Sequence, residues 1–274
     1  MLNITPVTNH REREKGVIVY PVYSRRSAGL SIGINLFPDK KFCPFDCPYC
    51  EVFPFLSKAV FSLEQLEDDL QKAVSQAHKQ NTVIKDICFS GNGEPTLSPA
   101  FPSALKLAQD IREKAAASAR LVVITNGAGL LQPQIFSLLK DAASLQTTDI
   151  WLKADAGTED WYNKINRSSI PFEKLITVIK EFTSCSPVTI QTMLCAINGE
   201  QPQDAEKQAW ETLICNLAKG GKTVRKVQLY GKARPAPEDP LASRLPESYL
   251  EERASSLSSA FTGKGITTPV EIYL

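Results

Sequence analysis

The feature that most constrains this 274-residue chain is a grammar: a short apolar run followed by an amphipathic stretch, six times in succession. The first run, 31–36 (Ser31 to Leu36), alternates at period two and predicts a strand. Ser62-Leu63-Glu64-Gln65 is a capping box and predicts a helix to about Gln80, with Glu64, Glu67 and Asp68 at the positive end of its dipole. Further strands are expected at 85–90, 121–125, 149–154, 188–195 and 226–230. The helices between and after them fall near 102–117, from Pro133, at 158–166 with 171–183, at 204–218 with Gly220-Gly221 as its stop, and at 246–260. Residues 16–20 predict a short strand, Ser24-Arg25-Arg26 a loop, and 269–274 an edge strand. Alternation of this kind implies a parallel sheet with right-handed crossovers. Pattern alone leaves closed and open sheets both standing; the expected fold class is α/β, a partial (β/α)6 barrel. One domain spanning 1–274 is expected, its core about 16–235 and its C-terminal helix and edge strand within 246–274.

In either architecture chemistry gathers at the C-terminal ends of the strands. The unusual loops all lie there: Gly91-Asn92-Gly93-Glu94-Pro95, Asn126-Gly127, Asp155-Ala156-Gly157, Ala196-Ile197-Asn198-Gly199 and Gly231-Lys232-Ala233-Arg234-Pro235. Parity sharpens this. If helices cover the more apolar set of each strand (Ile32, Ile34, Leu36, Ile87, Phe89, Ile150, Leu152, Ile190, Leu194, Val227, Leu229), the opposite face carries Gly33, Asn35, Asp86, Cys88, Ser90, Trp151, Lys153, Asp155, Gln191, Met193, Cys195, Gln228 and Tyr230. Buried polar groups need partners. That face either holds a ligand or satisfies itself as a network around Lys153 and Asp155.

The loop after the first strand reads Lys41-Phe42-Cys43-Pro44-Phe45-Asp46-Cys47-Pro48-Tyr49-Cys50-Glu51, three thiols at C-x3-C-x2-C. Two prolines stiffen it. Three thiolates from one tight loop suit a soft-metal or iron–sulfur centre. A disulfide pair with a spare thiol fits a secreted chain, and the polar residues 1–15 do not read as a signal peptide. A zinc site needs a fourth ligand; His10 and His78, the chain's two histidines, sit in no paired motif. Seven cysteines with three clustered predict a reducing, cytoplasmic setting. A net charge of +1 supplies no global field for nucleic acid or an anionic membrane, and no run approaches the roughly 20 apolar residues of a span.

The cysteine spacing with an aromatic before the last Cys resembles the radical S-adenosylmethionine (SAM) enzymes. Further stretches occur in family order: Ser31 to Leu36, Phe89-Ser90-Gly91-Asn92-Gly93-Glu94-Pro95-Thr96, Thr125-Asn126-Gly127, Trp151-Leu152-Lys153-Ala154-Asp155-Ala156-Gly157, Ile165-Asn166-Arg167 and Gln191-Thr192-Met193-Leu194. Together they resemble the branch related to wyosine-type tRNA-modifying enzymes, over about residues 16–235. The resemblance implies that Cys43, Cys47 and Cys50 ligate a 4Fe-4S cluster whose open iron chelates SAM. It implies that Tyr49 packs near adenine and that Gly91, Asn92, Gly93 and Glu94 receive the methionine amino group; a plain strand-to-helix turn is the alternative. Asn126, Lys153, Asp155 and Gln191 are expected at the carboxylate, ribose or adenine, and Tyr230 either closes the pocket or is a core tyrosine.

The implied reaction is reductive cleavage of SAM to a 5′-deoxyadenosyl radical that abstracts hydrogen from a substrate. A flavodoxin or ferredoxin is the implied reductant, with a small molecule or tRNA as substrate. Wyosine-type tRNA modification and a non-catalytic iron–sulfur or zinc sensor or electron-transfer protein are the competing readings. The chain departs from the wyosine-forming enzymes in having no Cys before Cys43 for a second cluster. Cys88, Cys185, Cys195 and Cys215 are expected to be structural, with Cys195 alone placed for a substrate role. Arg25, Arg26, Arg167 and Arg234 bind an anionic substrate or pair structurally.

Overall fold

A computed structural model of the chain describes residues 16–219 and 223–274. Its elements in order are β1 (Val19–Ser24), β2 (Gly29–Ile34), α1 (Leu63–Lys79), β3 (Ile84–Phe89), α2 (Phe101–Ala115), β4 (Arg120–Thr125), α3 (Pro133–Ser144), β5 (Thr148–Lys153), α4 (Glu159–Ile165), α5 (Phe172–Cys185), β6 (Val188–Ile197), α6 (Asp204–Lys219), β7 (Val224–Gly231), β8 (Ala242–Arg244), α7 (Glu247–Gly263) and β9 (Val270–Tyr273). The expected alternation is present. The leader at 1–15 and the Gly220-Gly221 stop lie outside the described residues. The chain divides into two compact units: Met1–Cys43, Val52–Thr125 and Leu145–Asp149 form the first, and Pro44–Glu51, Asn126–Ser144 and Ile150–Leu274 the second.

In the first unit β2, β3 and β4 are parallel neighbours, and β1 pairs antiparallel with β2. The strand expected at 16–20 is therefore later, and it is one arm of a hairpin. Ser24 ends that strand and begins the turn, its Oγ accepting the Ser27 N–H at 3.2 Å. Parity holds on the helix side: Ile32, Ile34, Ile87 and Phe89 have no exposed surface, and Phe89 meets Phe101 of α2 edge-on at 5.5 Å. Burying each such side chain contributes about 1.5–3 kcal/mol. The Ser62 Oγ accepts the Gln65 N–H at 3.3 Å, so the capping side chain opens α1 where the sequence placed it. On the polar face Ser31 donates to Asp86 Oδ1 at 2.5 Å. Tyr20 and Ser90 join hydroxyls at 2.8 Å, with the Tyr20 ring over Gly33. Here the polar face is satisfied by the chain only in part: the hairpin brings in a tyrosine that strand parity does not count, while Asp86 Oδ2 stays buried without a hydrogen-bond partner.

In the second unit the Ile150–Lys153 segment of β5, then β6, β7 and β9, run parallel in that order, with β8 antiparallel to the end of β6. The edge strand expected near the C-terminus is β9. Leu152, Ile190, Val227 and Leu229 are fully buried. Phe136 of α3 packs edge-on against Phe182 of α5 at 5.1 Å. Tyr162 of α4 meets both Phe45 and Phe172, which ties the Pro44–Glu51 segment to α4 and α5. On the opposite face Gln191 and Gln228 are fully buried, and the Gln191 Nε2 donates to Gln228 Oε1 at 2.7 Å.

Candidate active site

In the first unit the chain entering Cys43 is bolted to the Gly91–Glu94 loop by backbone alone. The Phe42 N–H donates to the Asn92 carbonyl at 3.0 Å, and the Glu94 N–H donates to the Phe42 carbonyl at 2.9 Å. Gly93 lies between them, where a Cβ would stand 2.0 Å from the Phe42 oxygen; no side chain fits. Gly91 has φ +138°, a conformation that favours glycine. Asn35 fixes the loop from below: its Oδ1 accepts the N–H groups of Asn92 (3.1 Å) and Phe37 (3.2 Å), and its Nδ2 donates to the Val17 carbonyl (2.9 Å). Asn92 donates its own amide to the Phe37 carbonyl at 3.1 Å. Glu94 is 3% exposed, and its Oε1 accepts from Thr96 N–H (3.2 Å), Thr96 Oγ1 (2.6 Å) and Thr125 Oγ1 (2.7 Å). Three donors on one oxygen fix the orientation of this buried carboxylate.

In the second unit Asp155 is the hub. Its Oδ2 accepts the Tyr49 hydroxyl at 2.5 Å and the Asn166 Nδ2 at 2.9 Å, and lies 3.2 Å from Lys153 Nζ. Its Oδ1 accepts the Met193 N–H at 2.9 Å. Burial opposes the charge on Lys153, but the Asp155 carboxylate and the Tyr230 hydroxyl, to which Lys153 donates, together hold its ammonium well above the ordinary lysine range. That ammonium stands 5.0 Å from the ring centres of both Tyr49 and Tyr230. Burial first, then the neighbouring Asp155, pushes the Tyr49 phenol upward. Cys47 and Cys50 share a turn closed by the Cys50 N–H on the Cys47 carbonyl at 2.9 Å. Burial, reinforced by Asp155, pushes the Cys47 thiol up to about 11. Such a thiol stays protonated until something cationic or metallic stabilises its thiolate.

Within the second unit, then, Cys47, Cys50, Tyr49, Lys153, Asp155 and Tyr230 belong to one polar cluster. Asn126 is buried, and its Oδ1 caps the Ala128 N–H at 3.0 Å, opening a single 3₁₀ turn. Gln191 donates to Gln228. Cys195 is buried, its thiol pushed up to about 12 by burial and then by Asp155. Of the arginines offered either to an anionic substrate or to structural pairing, Arg167 is paired with Glu238 at 2.7 Å and Arg234 with Glu51 at 2.6 Å. Of the cysteines outside the loop, Cys88 and Cys215 are also buried, whereas Cys185 is exposed.

Several residues escaped the sequence reading. Thr96 and Thr125 lie in quoted motifs, but nothing in the sequence marks them as the residues that orient Glu94. Glu206 of α6 accepts the N–H groups of Gly157 (2.7 Å) and Thr158 (2.8 Å), anchoring the turn after Asp155 from 48 or more residues away. Asn166 lies in a quoted motif, which was the one available signal for it.

The donor set fits the cofactors that the cysteine spacing implies. Among the described residues no group of three or more His, Cys, Asp or Glu side chains is arranged to hold a single metal ion. A four-iron cluster binds each thiolate at a different iron, so its ligands do not converge on one point. Within the second unit, the thiol-bearing turn and a buried ammonium–carboxylate pair flanked by two tyrosines suit a cluster and a zwitterionic nucleoside ligand.

Comparison with known proteins points the same way. Residues 39–208, more than half of the chain, match the Radical SAM superfamily. A UPF0026 protein of Helicobacter pylori is 32% identical over 163 residues, 56% of this chain and 49% of that protein. A UPF0026 protein of Methanocaldococcus jannaschii is 29% identical over 150 residues, 54% of this chain and 43% of that one. The chain thus spans about half the length of the curated relatives it matches. Among solved structures, Streptococcus suis SuiB bound to its precursor peptide SuiA superposes with a TM-score of 0.64 at 12% identity, covering 86% of this chain and 47% of SuiB. A radical SAM methyltransferase from Sphaerobacter thermophilus gives 0.64 at 14%, covering 92% and 68%. TYW1 with a lysine–pyruvate adduct gives 0.56 at 14%, covering 84% and 73%. At these identities the likeness shows the fold, which is the α/β partial barrel of the radical SAM type. The family implies an enzyme that uses SAM and an iron–sulfur cluster. The matched segment contains the three-cysteine loop, the glycine loop with its buried Glu94, and the Asp155 hub, and the chain belongs to the Radical SAM superfamily.

Proposed function

We propose that Cys43, Cys47 and Cys50 hold a 4Fe-4S cluster and that the protein, as a single radical SAM domain, cleaves SAM reductively for hydrogen abstraction from a substrate yet to be identified. The observation that carries this reading is the Asp155 hub, which ties the cysteine turn to Lys153, Tyr49 and Asn166. When bound, the cluster and SAM supply an electron and a carbon–sulfur bond whose breakage yields a 5′-deoxyadenosyl radical.

The chain's own residues bind and orient. Lys153, kept protonated by Asp155 and Tyr230, offers a fixed cation to the SAM carboxylate. Glu94, aimed by Thr96 and Thr125, receives the methionine amino group. Tyr49 and Tyr230 give aromatic surface for adenine. Gly91 and Gly93 let backbone approach the ligand, Asn92 and Asn126 shape the loops that do so, and Gln191 with Gln228 lines the polar face. A flavodoxin or ferredoxin supplies the electron, the substrate is a small molecule or tRNA, and the setting is cytoplasmic. Among the described residues no helix is long and apolar enough to cross a membrane.

The test is anaerobic reconstitution with iron and sulfide, then dithionite and SAM. The expected product is 5′-deoxyadenosine, lost in Cys47→Ala. Zinc filling the site in anaerobically purified protein, with no iron loading, contradicts the reading.

A further inference from the structure

Asn166 sits directly after α4, is 3% exposed, and touches Cys47 in two ways and the residue before it in a third. Its Nδ2 lies 3.6 Å from Cys47 Sγ, within range of an N–H···S hydrogen bond. Its carbonyl oxygen lies 3.7 Å from the same sulfur. That carbonyl also accepts the Asp46 N–H at 3.1 Å, so the backbone just before Cys47 is pinned to it. The carboxamide is itself oriented, because Nδ2 also donates to Asp155 Oδ2 at 2.9 Å. Asp155 in turn is fixed by Tyr49 and by the Met193 N–H. The amide is therefore held at the sulfur by groups that do not depend on Cys47. Arg167, the next residue, has φ +43° and is anchored on Glu238, which immobilises the chain on the other side.

Hydrogen bonds to the sulfurs are among the groups that set the potential of an iron–sulfur cluster, since a donor stabilises the more negative, reduced state. We infer that Asn166 is a positioning residue that orients Cys47 and, through its Nδ2–H on Cys47 Sγ, raises the reduction potential of the cluster. This rests on the cluster reading of the three-cysteine loop. No bond is made or broken in the tuning itself. One electron enters the cluster from an external reductant, and the amide proton stays on nitrogen.

The experiment is an anaerobic redox titration of the reconstituted, SAM-free protein followed by electron paramagnetic resonance. In Asn166→Leu, which removes the donor, the reduced-to-oxidised ratio at fixed potential falls about tenfold, a shift of ~59 mV to more negative values for one electron. Asn166→Asp, which replaces the donor by an anion, shifts further the same way. Asn166→Gln, which restores a carboxamide, returns part of the shift. A purely structural role alters loading or melting temperature without this ordering. A wild-type measurement covers the case in which the variants fail to fold. With asparagine labelled by ¹⁵N in its side-chain amide, pulsed resonance of the reduced cluster shows a weak nitrogen coupling. Absence of that coupling, or a variant potential equal to wild type at full iron loading, overturns the inference alone. Wild-type protein that loads no cluster overturns the reading beneath it.

Discussion

The hydroxyl of Tyr49, between two cysteines of the loop, donates to Asp155 Oδ2 at 2.5 Å across 106 residues of sequence. The same oxygen lies 3.2 Å from Lys153, and the pair is largely buried, with side-chain exposures of 15% for Lys153 and 1% for Asp155. Breaking a buried pair strands the surviving charge. Asp155→Asn is therefore expected to cost about 3 kcal/mol of stability by urea denaturation. It is also expected to lower 5′-deoxyadenosine formation on the order of 10–100-fold, as changes in groups supporting a metal site do.

Gly93→Ala forces a methyl group against the Phe42 carbonyl, which would stand 2.0 Å away. Neither of the flanking hydrogen bonds, Phe42 to Asn92 and Glu94 to Phe42, survives that displacement. The expected loss is about 2 kcal/mol or more, within the range for overpacking. Denaturant melts of the apo-protein read it without any cofactor.

Thr125→Val keeps the shape of the side chain and removes one of three donors to Glu94 Oε1. A buried hydrogen bond is worth about 1 kcal/mol net. SAM affinity, measured by equilibrium dialysis on the reconstituted protein, is expected to weaken roughly fivefold, since the carboxylate keeps its charge and loses part of its orientation.

The edge strand β9 carries a pH dependence of its own. Burial pushes Glu271 upward, but the Tyr273 hydroxyl at 2.6 Å and the Lys226 ammonium at 3.0 Å outweigh it and leave the carboxyl below its ordinary range. A depressed folded value means that the contribution is present above the unfolded carboxyl value of about 4.3 and is lost as pH falls through the folded one. The pair is partly exposed, so the effect is about 1 kcal/mol or less. Hydrogen exchange of β9 amides is expected to quicken below that window in the native chain, and Glu271→Gln is expected to flatten the trend.

Strand parity placed Phe89 toward α2 and the polar set opposite, because period-two alternation survives wherever one face is buried by helices. It missed the way Tyr20 fills the polar face over Gly33, since a hairpin arm inserts its own side chains irrespective of the parity of its neighbour. The three-residue β8 is too short to leave a periodic trace. Cys47, Lys153 and Asp155 were legible because a thiol in a tight loop and charged residues at the end of the apolar run Ile150-Trp151-Leu152 are chemically conspicuous. The roles of Thr125 and Glu206 were not, because hydrogen bonding to a loop from a distant element leaves no local pattern. For Arg167 and Arg234 the sequence leaves open the choice between an anionic substrate and structural pairing, because their carboxylate partners, Glu238 and Glu51, lie 71 and 183 residues away.

The proposed cluster keeps one iron that no side chain of this protein holds. Mössbauer spectra of ⁵⁷Fe-reconstituted protein, taken without oxygen before and after adding SAM, address it most directly. A single iron whose isomer shift moves on SAM binding, while the other irons stay cysteine-like, is the predicted result. A spectrum that SAM leaves unchanged, with every iron ligated by protein, contradicts the account.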